Sequence, residues 1–273
     1  MSQFHVLAGA DTVPAHPGIR KIGISDLKAA LREGLADFLA RPSHILFLGL
    51  IYPVIGLFLA FWTSGANLLP LLFPLMSGFA LIGPFAAIGL YEISRRREAG
   101  LDSSWRHAFE VRHSPSIPSI IALGALLAVL FIAWLAVAAW LYRAFLGMDA
   151  PQTLRAMLTD VLTTRAGWGL ILTGNLAGLV FAAIALSCSV IAFPLLLDRD
   201  VGAAVAVVTS FRAVSANPVT LALWGLVVAM ALAAGFLLFF AGLALVFPVL
   251  GHATWHLYRR LVAPVPVEER NQA

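Results

Sequence analysis

The sequence predicts an all-α fold, a polytopic membrane helical bundle of six transmembrane helices arranged as three like-oriented hairpins, each preceded by a cytoplasmic interfacial helix. Three observations carry that expectation. Of 273 residues, 60% are hydrophobic and only 12% charged. A water-soluble domain carries about 25% charged residues, so this chain cannot coat a soluble surface. Long apolar stretches recur at 45–62, 69–91, 117–142, 167–197 and 219–258. Lysine and arginine gather between alternate stretches, as they do on the cytoplasmic side of inner-membrane proteins.

The elements follow in chain order. The segment ahead of the first span holds Arg20, Lys21, Lys28, Arg32 and Arg41, so no cleaved signal peptide is expected. Within it, ISDLKAALREGLADFLARP repeats Ile24, Leu27, Leu31, Leu35, Phe38 and Leu39 at helical spacing. Lys28, Arg32, Glu33 and Asp37 take the other face, which predicts an amphipathic helix in the interface. Pro42 then turns the chain into the membrane. DSSWRHAFEVRHSP, with Trp105, Ala108 and Phe109, and GAAVAVVTSFRAVSANP, with Val205, Val208 and Phe211, repeat the device before Pro115 and Pro218.

A spanning helix needs roughly 20 residues, so the stretch 219–258 divides into two spans, near Gly235. The stretch 167–197 is long enough to tilt strongly or project from the bilayer. With six spans, the inner side receives five basic residues before the first span, five in 92–116, two in 198–218 and three in the tail. Only Arg143, Arg155 and Arg165 fall outside, so both termini are expected in the cytoplasm.

Internal similarity organises the chain further. LIGPFAAIGLYEISRR (81–96) aligns without a gap on LVFPVLGHATWHLYRR (245–260), pairing Pro84 with Pro248, Tyr91 with Trp255, and Arg95 and Arg96 with Arg259 and Arg260. RPSHILFLGL (41–50) aligns on NPVTLALWGL (217–226) in the same order. The repeat units run over about 24–97, 103–200 and 201–260, the middle one carrying a longer external loop at about 147–166.

RPSHILFLGLIYP, FALIGPFAAIGLYEISRRREAGLD, SVIAFPLLLDRDVGAA, NPVTLALWGL and FPVLGHATWHLYRR together resemble a bacterial family of predicted inner-membrane proteins, domain of unknown function 2189. The resemblance covers about residues 20–262. It implies a multi-pass protein of the bacterial inner membrane with no established activity, and it carries over no catalytic or binding residue. The arm 1–19 and the tail 263–273 fall outside it and read as disordered.

Chemistry-bearing residues are few. His252 and His256 lie one helical turn apart, a spacing that metal-binding helices use, but a metal needs at least a third ligand. The candidates are His44, and His107 or His113. The neighbours Trp255, Tyr258, Arg259 and Arg260 point instead to an interface anchor, as do Tyr91, Arg95 and Arg96 at the equivalent end of the first unit. Asn175, Thr173 and Ser187 could line a polar path for a weakly polar cargo, against the plainer role of hydrogen bonding between helices. No acidic or basic residue falls mid-span, which argues against a proton-coupled pump. Ser187 and Ser189 flank Cys188, read as a packing residue, with no histidine in that span and no GxSxG elbow, so no enzyme is expected. Asp102, Glu98 and Glu110, beside Arg95 to Arg97 and His107, read as a salt-bridged surface.

The net charge of +4 and the pI near 9.7 suit anionic lipid head groups better than nucleic acid, because the arginines cluster beside apolar runs. The expected partners are membrane lipids and other inner-membrane proteins, with no cofactor. The leading expectation is a non-enzymatic scaffold, assembly factor or accessory subunit. Its rivals are a carrier or scramblase for lipid or another weakly polar cargo, and a metal-handling protein using His252 and His256.

Overall fold

The computed structural model describes residues 17–40, 69–147, 153–237 and 242–264. The predicted first span at 45–62, His44 and the stretch RPSHILFLGL lie outside the described residues, as do 1–16 and 265–273. Among the described residues the fold is all-helical. The helices are α1 (Ile24–Ala40), α2 (Leu72–Ala86), α3 (Ile88–Glu98), α4 (Ile117–Leu146), α5 (Leu154–Thr163), α6 (Arg165–Ser189), α7 (Ala192–Asp198), α8 (Ala203–Ala216), α9 (Pro218–Leu237) and α10 (Leu243–Leu261). Trp105–His113 forms a 3-10 helix between α3 and α4.

Among the described residues, three segments are long and apolar enough to cross a membrane: Ile117–Leu146, Arg165–Asp198 and Pro218–Leu237. α4 shows why it packs as it does. Ile120, Leu127, Trp134 and Leu141, seven apart, are buried with Leu123 and Ala138, so one stripe faces the bundle. Trp134 sits between α2 and α6. Its indole N–H donates to the Pro74 carbonyl at 2.9 Å and its ring lies 5.7 Å from that of Phe181. A tryptophan nitrogen in an apolar layer needs such an acceptor, and this one ties α4 to α2.

Proline punctuates the long runs. The stretch expected as one tilted span is broken at Val190 and Ile191, where α6 ends and α7 begins. Pro194 has no N–H to return to the carbonyl four residues earlier and its ring crowds that carbonyl. The Ser210 hydroxyl of α8 accepts from the Ile191 N–H at 3.3 Å. α7 thereby turns into the core, with Phe193, Leu195 and Leu196 fully buried and Phe193 in edge contact with Phe85. A second interruption separates α2 from α3 at Ala87, three residues after Pro84. The aligned Pro248 lies inside α10, which runs through it unbroken. The split expected near Gly235 falls a little later: α9 ends at Leu237 and α10 starts at Leu243.

Two connecting regions carry structure of their own. The external loop at 147–166 contains α5, whose first turn is capped by Thr153 accepting from the Ala156 N–H at 3.2 Å. Around positions 19 and 263 the two ends of the described chain pair with each other. Ile19 bridges Val262, the Arg20 N–H donates to the Leu261 carbonyl at 2.8 Å, and the Ala263 N–H donates to the Gly18 carbonyl at 2.9 Å. Asn217, between α8 and α9, fixes this lead-in: its side chain accepts from the Ile22 N–H and donates to the Arg20 carbonyl.

α1 lies along the second half of α10. The close approach is permitted by Gly34, where a Cβ would meet the Ala253 nitrogen at 2.5 Å. Its burial pattern departs from the predicted faces. Leu27, Ala30, Gly34, Asp37 and Phe38 are buried, while Ile24, Leu35 and Leu39 are exposed. In α8 Val205 is buried, and Val208 and Phe211 are exposed.

Candidate functional site

The polar residues of α1, α3, α7 and α10 converge at one end of the bundle, and Asp37 is their focus. Helical periodicity assigns Asp37 to the polar face of α1, yet it is 6% exposed, because α10 and α3 close over that face. Its carboxylate accepts from the Ser94 hydroxyl at 2.5 Å, from His256 Nε2 at 2.9 Å and from Arg97 Nη1 at 2.7 Å. Burial pulls this carboxyl upward, but the hydrogen bonds from His256 and Ser94 outweigh it and leave its pKa below the ordinary value.

His252 Nδ1 lies 2.8 Å from the Ser94 oxygen. Because Ser94 gives its proton to an ionised Asp37, His252 Nδ1 is assigned as the donor to Ser94, and the row runs His252, Ser94, Asp37. Ser94 and His252 are 0% and 1% exposed. A serine whose proton is committed to a carboxylate, with no open surface in front of it, is held as a structural link and not as a poised nucleophile.

Around this row stand charged pairs. Arg260 forks onto Glu33 at 2.7 and 2.9 Å, and that bond chiefly holds Glu33 below its ordinary pKa. His256 Nδ1 lies 3.3 Å from Glu33. Arg95 forks onto the buried Glu92 at 2.7 and 2.9 Å. The Trp255 indole donates to Glu98 at 3.0 Å, Arg259 reaches the same carboxylate, and the Tyr258 hydroxyl donates to Asp198 at 2.5 Å.

Tyr91, Trp255 and Tyr258 are 2%, 0% and 1% exposed, so their rings pack against protein. An aromatic ring beside arginines has the same sequence signature at an interface and in a core, and only the packing of α1 and α7 decides between them. Arg95, Arg96, Arg259 and Arg260 are all engaged with carboxylates of the chain.

His252 and His256 do come together with other side chains, but with Ser94 and Asp37, which sequence reasoning did not single out. Among the described residues no three His, Cys, Asp or Glu converge as metal ligands. The polar-path residues are not brought together. Thr173 and Asn175 are two positions apart, about 200° around the helix. Each bonds its own helix, Thr173 to the Gly169 carbonyl and Asn175 to that of Ile171, and Asn175 is exposed. Ser187 is half-buried, one residue before the buried Cys188.

The expected salt-bridged surface is present. Arg96 donates to Glu110 at 2.7 Å and to the Asp102 carbonyl, and His107 bridges Asp102 at 3.0 Å and Glu110 at 2.5 Å. The hydrogen bonds to Asp102 and Glu110 raise the pKa of His107 and lower both acids.

The family described as "Predicted integral membrane protein (DUF2189)" matches residues 72–198, from the start of α2 to the end of α7. That stretch includes Glu92, Ser94, Arg95 to Arg97 and Asp198, and leaves out Asp37, His252 and His256. No curated protein and no solved structure matches the chain.

Proposed function

We propose, from the premise that residues 72–198 belong to a family of predicted integral membrane proteins, that this chain acts without catalysis as a scaffold, assembly factor or accessory subunit of a larger complex in the bacterial inner membrane. In the full chain three like-oriented hairpins make six crossings, and the arginine-rich end and both termini face the cytoplasm. The 15-to-3 division of basic residues supports that orientation. The aligned ends of α3 and α10, both carrying a buried aromatic and two carboxylate-bound arginines, support the repeat.

One observation carries the functional reading. α6 presents Leu172, Leu176 and Leu179 on one face at 64 to 66% exposure, α4 presents Val129, Ile132 and Trp140, and α9 presents Val219, Leu226 and Met230. This apolar wall packs on nothing described in the chain, whereas the buried polar residues of α1, α3 and α10 at the other end are engaged with one another. Such a molecule offers surface and fixed shape to neighbours in the bilayer.

A photo-crosslinking residue at Leu176 or Leu226, activated in native membranes and followed by purification in mild detergent, tests this. The expected result is a discrete protein adduct that also copurifies in fixed proportion. Adducts with lipid alone, and no copurifying protein, would overturn it.

A further inference from the structure

The 3-10 helix Trp105–His113 has a consequence that an α-helix in its place would not. With three residues per turn, side chains three apart eclipse, so Arg106, Phe109 and Arg112 stand in one row. In an α-helix, Arg106 and Arg112 would sit about 120° apart. The row lines a groove of about 570 Å³ formed with the end of α3 and Leu197 of α7.

The groove holds four arginines, 95, 96, 106 and 112, against two glutamates, 92 and 110. The glutamates are already matched: Glu92 by Arg95 and Glu110 by Arg96 and His107. Arg106 and Arg112 are exposed, with no hydrogen-bond or ion-pair partner among the described residues. Between them Phe109 is 56% exposed, and Trp105 beside it is 45% exposed. Five residues beyond Arg112, α4 begins at Ile117, the first residue of a segment apolar enough to cross the bilayer.

We propose that this groove binds a net-anionic phosphate group through Arg106 and Arg112. Guanidinium groups match phosphate oxygens in forked pairs, and the intervening aromatic suits the apolar part of a ligand that carries both, as a phospholipid does. The position at the mouth of α4 is where a head group meets the protein in the orientation proposed above, on which this inference rests. A free phosphate offers the same oxygens without the acyl chain.

The full chain, purified in detergent, is melted with dioctanoyl phosphatidylglycerol, with dioctanoyl phosphatidylcholine, or with inorganic phosphate. The anionic lipid is expected to raise the melting temperature saturably and phosphatidylcholine is not. A rise with inorganic phosphate alone supports the same groove with a free phosphate as its source. In Arg106→Gln/Arg112→Gln, whose side chains are exposed and unpaired, the melting temperature without ligand stays unchanged. Half-saturation weakens roughly 30-fold, the effect of two arginines near an anionic surface. An equal response to phosphatidylcholine, or an undiminished response in the double variant, would overturn the proposal. Crosslinks that trap no protein at Leu176 leave this outcome untouched, so the two readings fail separately.

Discussion

The arginine-rich end and the apolar wall are made of the same kind of element, an amphipathic or apolar helix, but their side chains are differently committed. At the arginine-rich end, α1, α3, α7 and α10 bury Asp37, Glu92, Ser94 and His252, and the charged or polar groups beside them are paired. On the wall, α4, α6 and α9 leave rows of leucine, valine and isoleucine exposed among the described residues, with Asn175 as a polar exception. The first region gains its stability from specific partners and loses it when one is removed. The second is suited by any apolar surroundings and tolerates change, which is what a surface for lipid or neighbouring helices requires.

The largest break in that contrast comes from Asp37→Ala. It leaves Ser94, His256 and Arg97 without their shared acceptor, and losing one member of a buried charged set costs about 3–5 kcal/mol. The melting temperature in detergent should fall by several degrees, whereas Leu176→Ala on the wall should change stability by less than about 0.5 kcal/mol. Gly34→Ala comes next. A methyl there runs into the backbone of Ala253, which cannot step aside as a side chain can, and overpacking of this kind costs about 1–3 kcal/mol. Gly251→Ala should cost less, since its nearest obstacle is the end of the Leu90 side chain.

Acid should dissolve the same end. Asp37 and Glu33 have folded pKa values below their unfolded ones, so their contribution is complete above the unfolded carboxylate range and disappears as pH falls through the lower folded values. Melting temperature should therefore drop below about pH 4, and these two groups should add no further change above about pH 5. His107 has the opposite sign. Its raised pKa gives stability present below about pH 6.5 and lost as pH rises through the folded value. The effect is the smallest of these, because its partners Asp102 and Glu110 are exposed and water screens the pairs, and hydrogen exchange across 105–113, corrected for intrinsic rate, should show faster opening at pH 9 than at pH 6.

Much of the wall was legible in the sequence, because long apolar runs declare themselves by length and composition alone. The helix 24–40 and the ion pairs of Arg96, His107 and Glu110 were also legible, since both are local in the chain. The buried row was not. Asp37 lies 57 residues from Ser94 and 219 from His256, and nothing in its own helix says that α10 will cover it. Tyr91 and Trp255 had an unused signal: they are aligned between repeats, which fits a shared place in the packing as well as a shared depth in the bilayer. Pro194 was visible too, but its break depends on Ser210 accepting the freed Ile191 N–H from another helix.

Brominated lipid separates the two regions most directly. In variants that retain only Trp140 or only Trp255, with phenylalanine at the other tryptophan positions and folding checked by the melt, fluorescence is read in bilayers carrying bromine on the acyl chains. Trp140, 65% exposed on α4, should be strongly quenched, and Trp255, enclosed by protein and bonded to Glu98, should be nearly unaffected. Equal quenching of both would contradict the account, because the arginine-rich end would then be open to lipid and its aromatic side chains would be anchors after all.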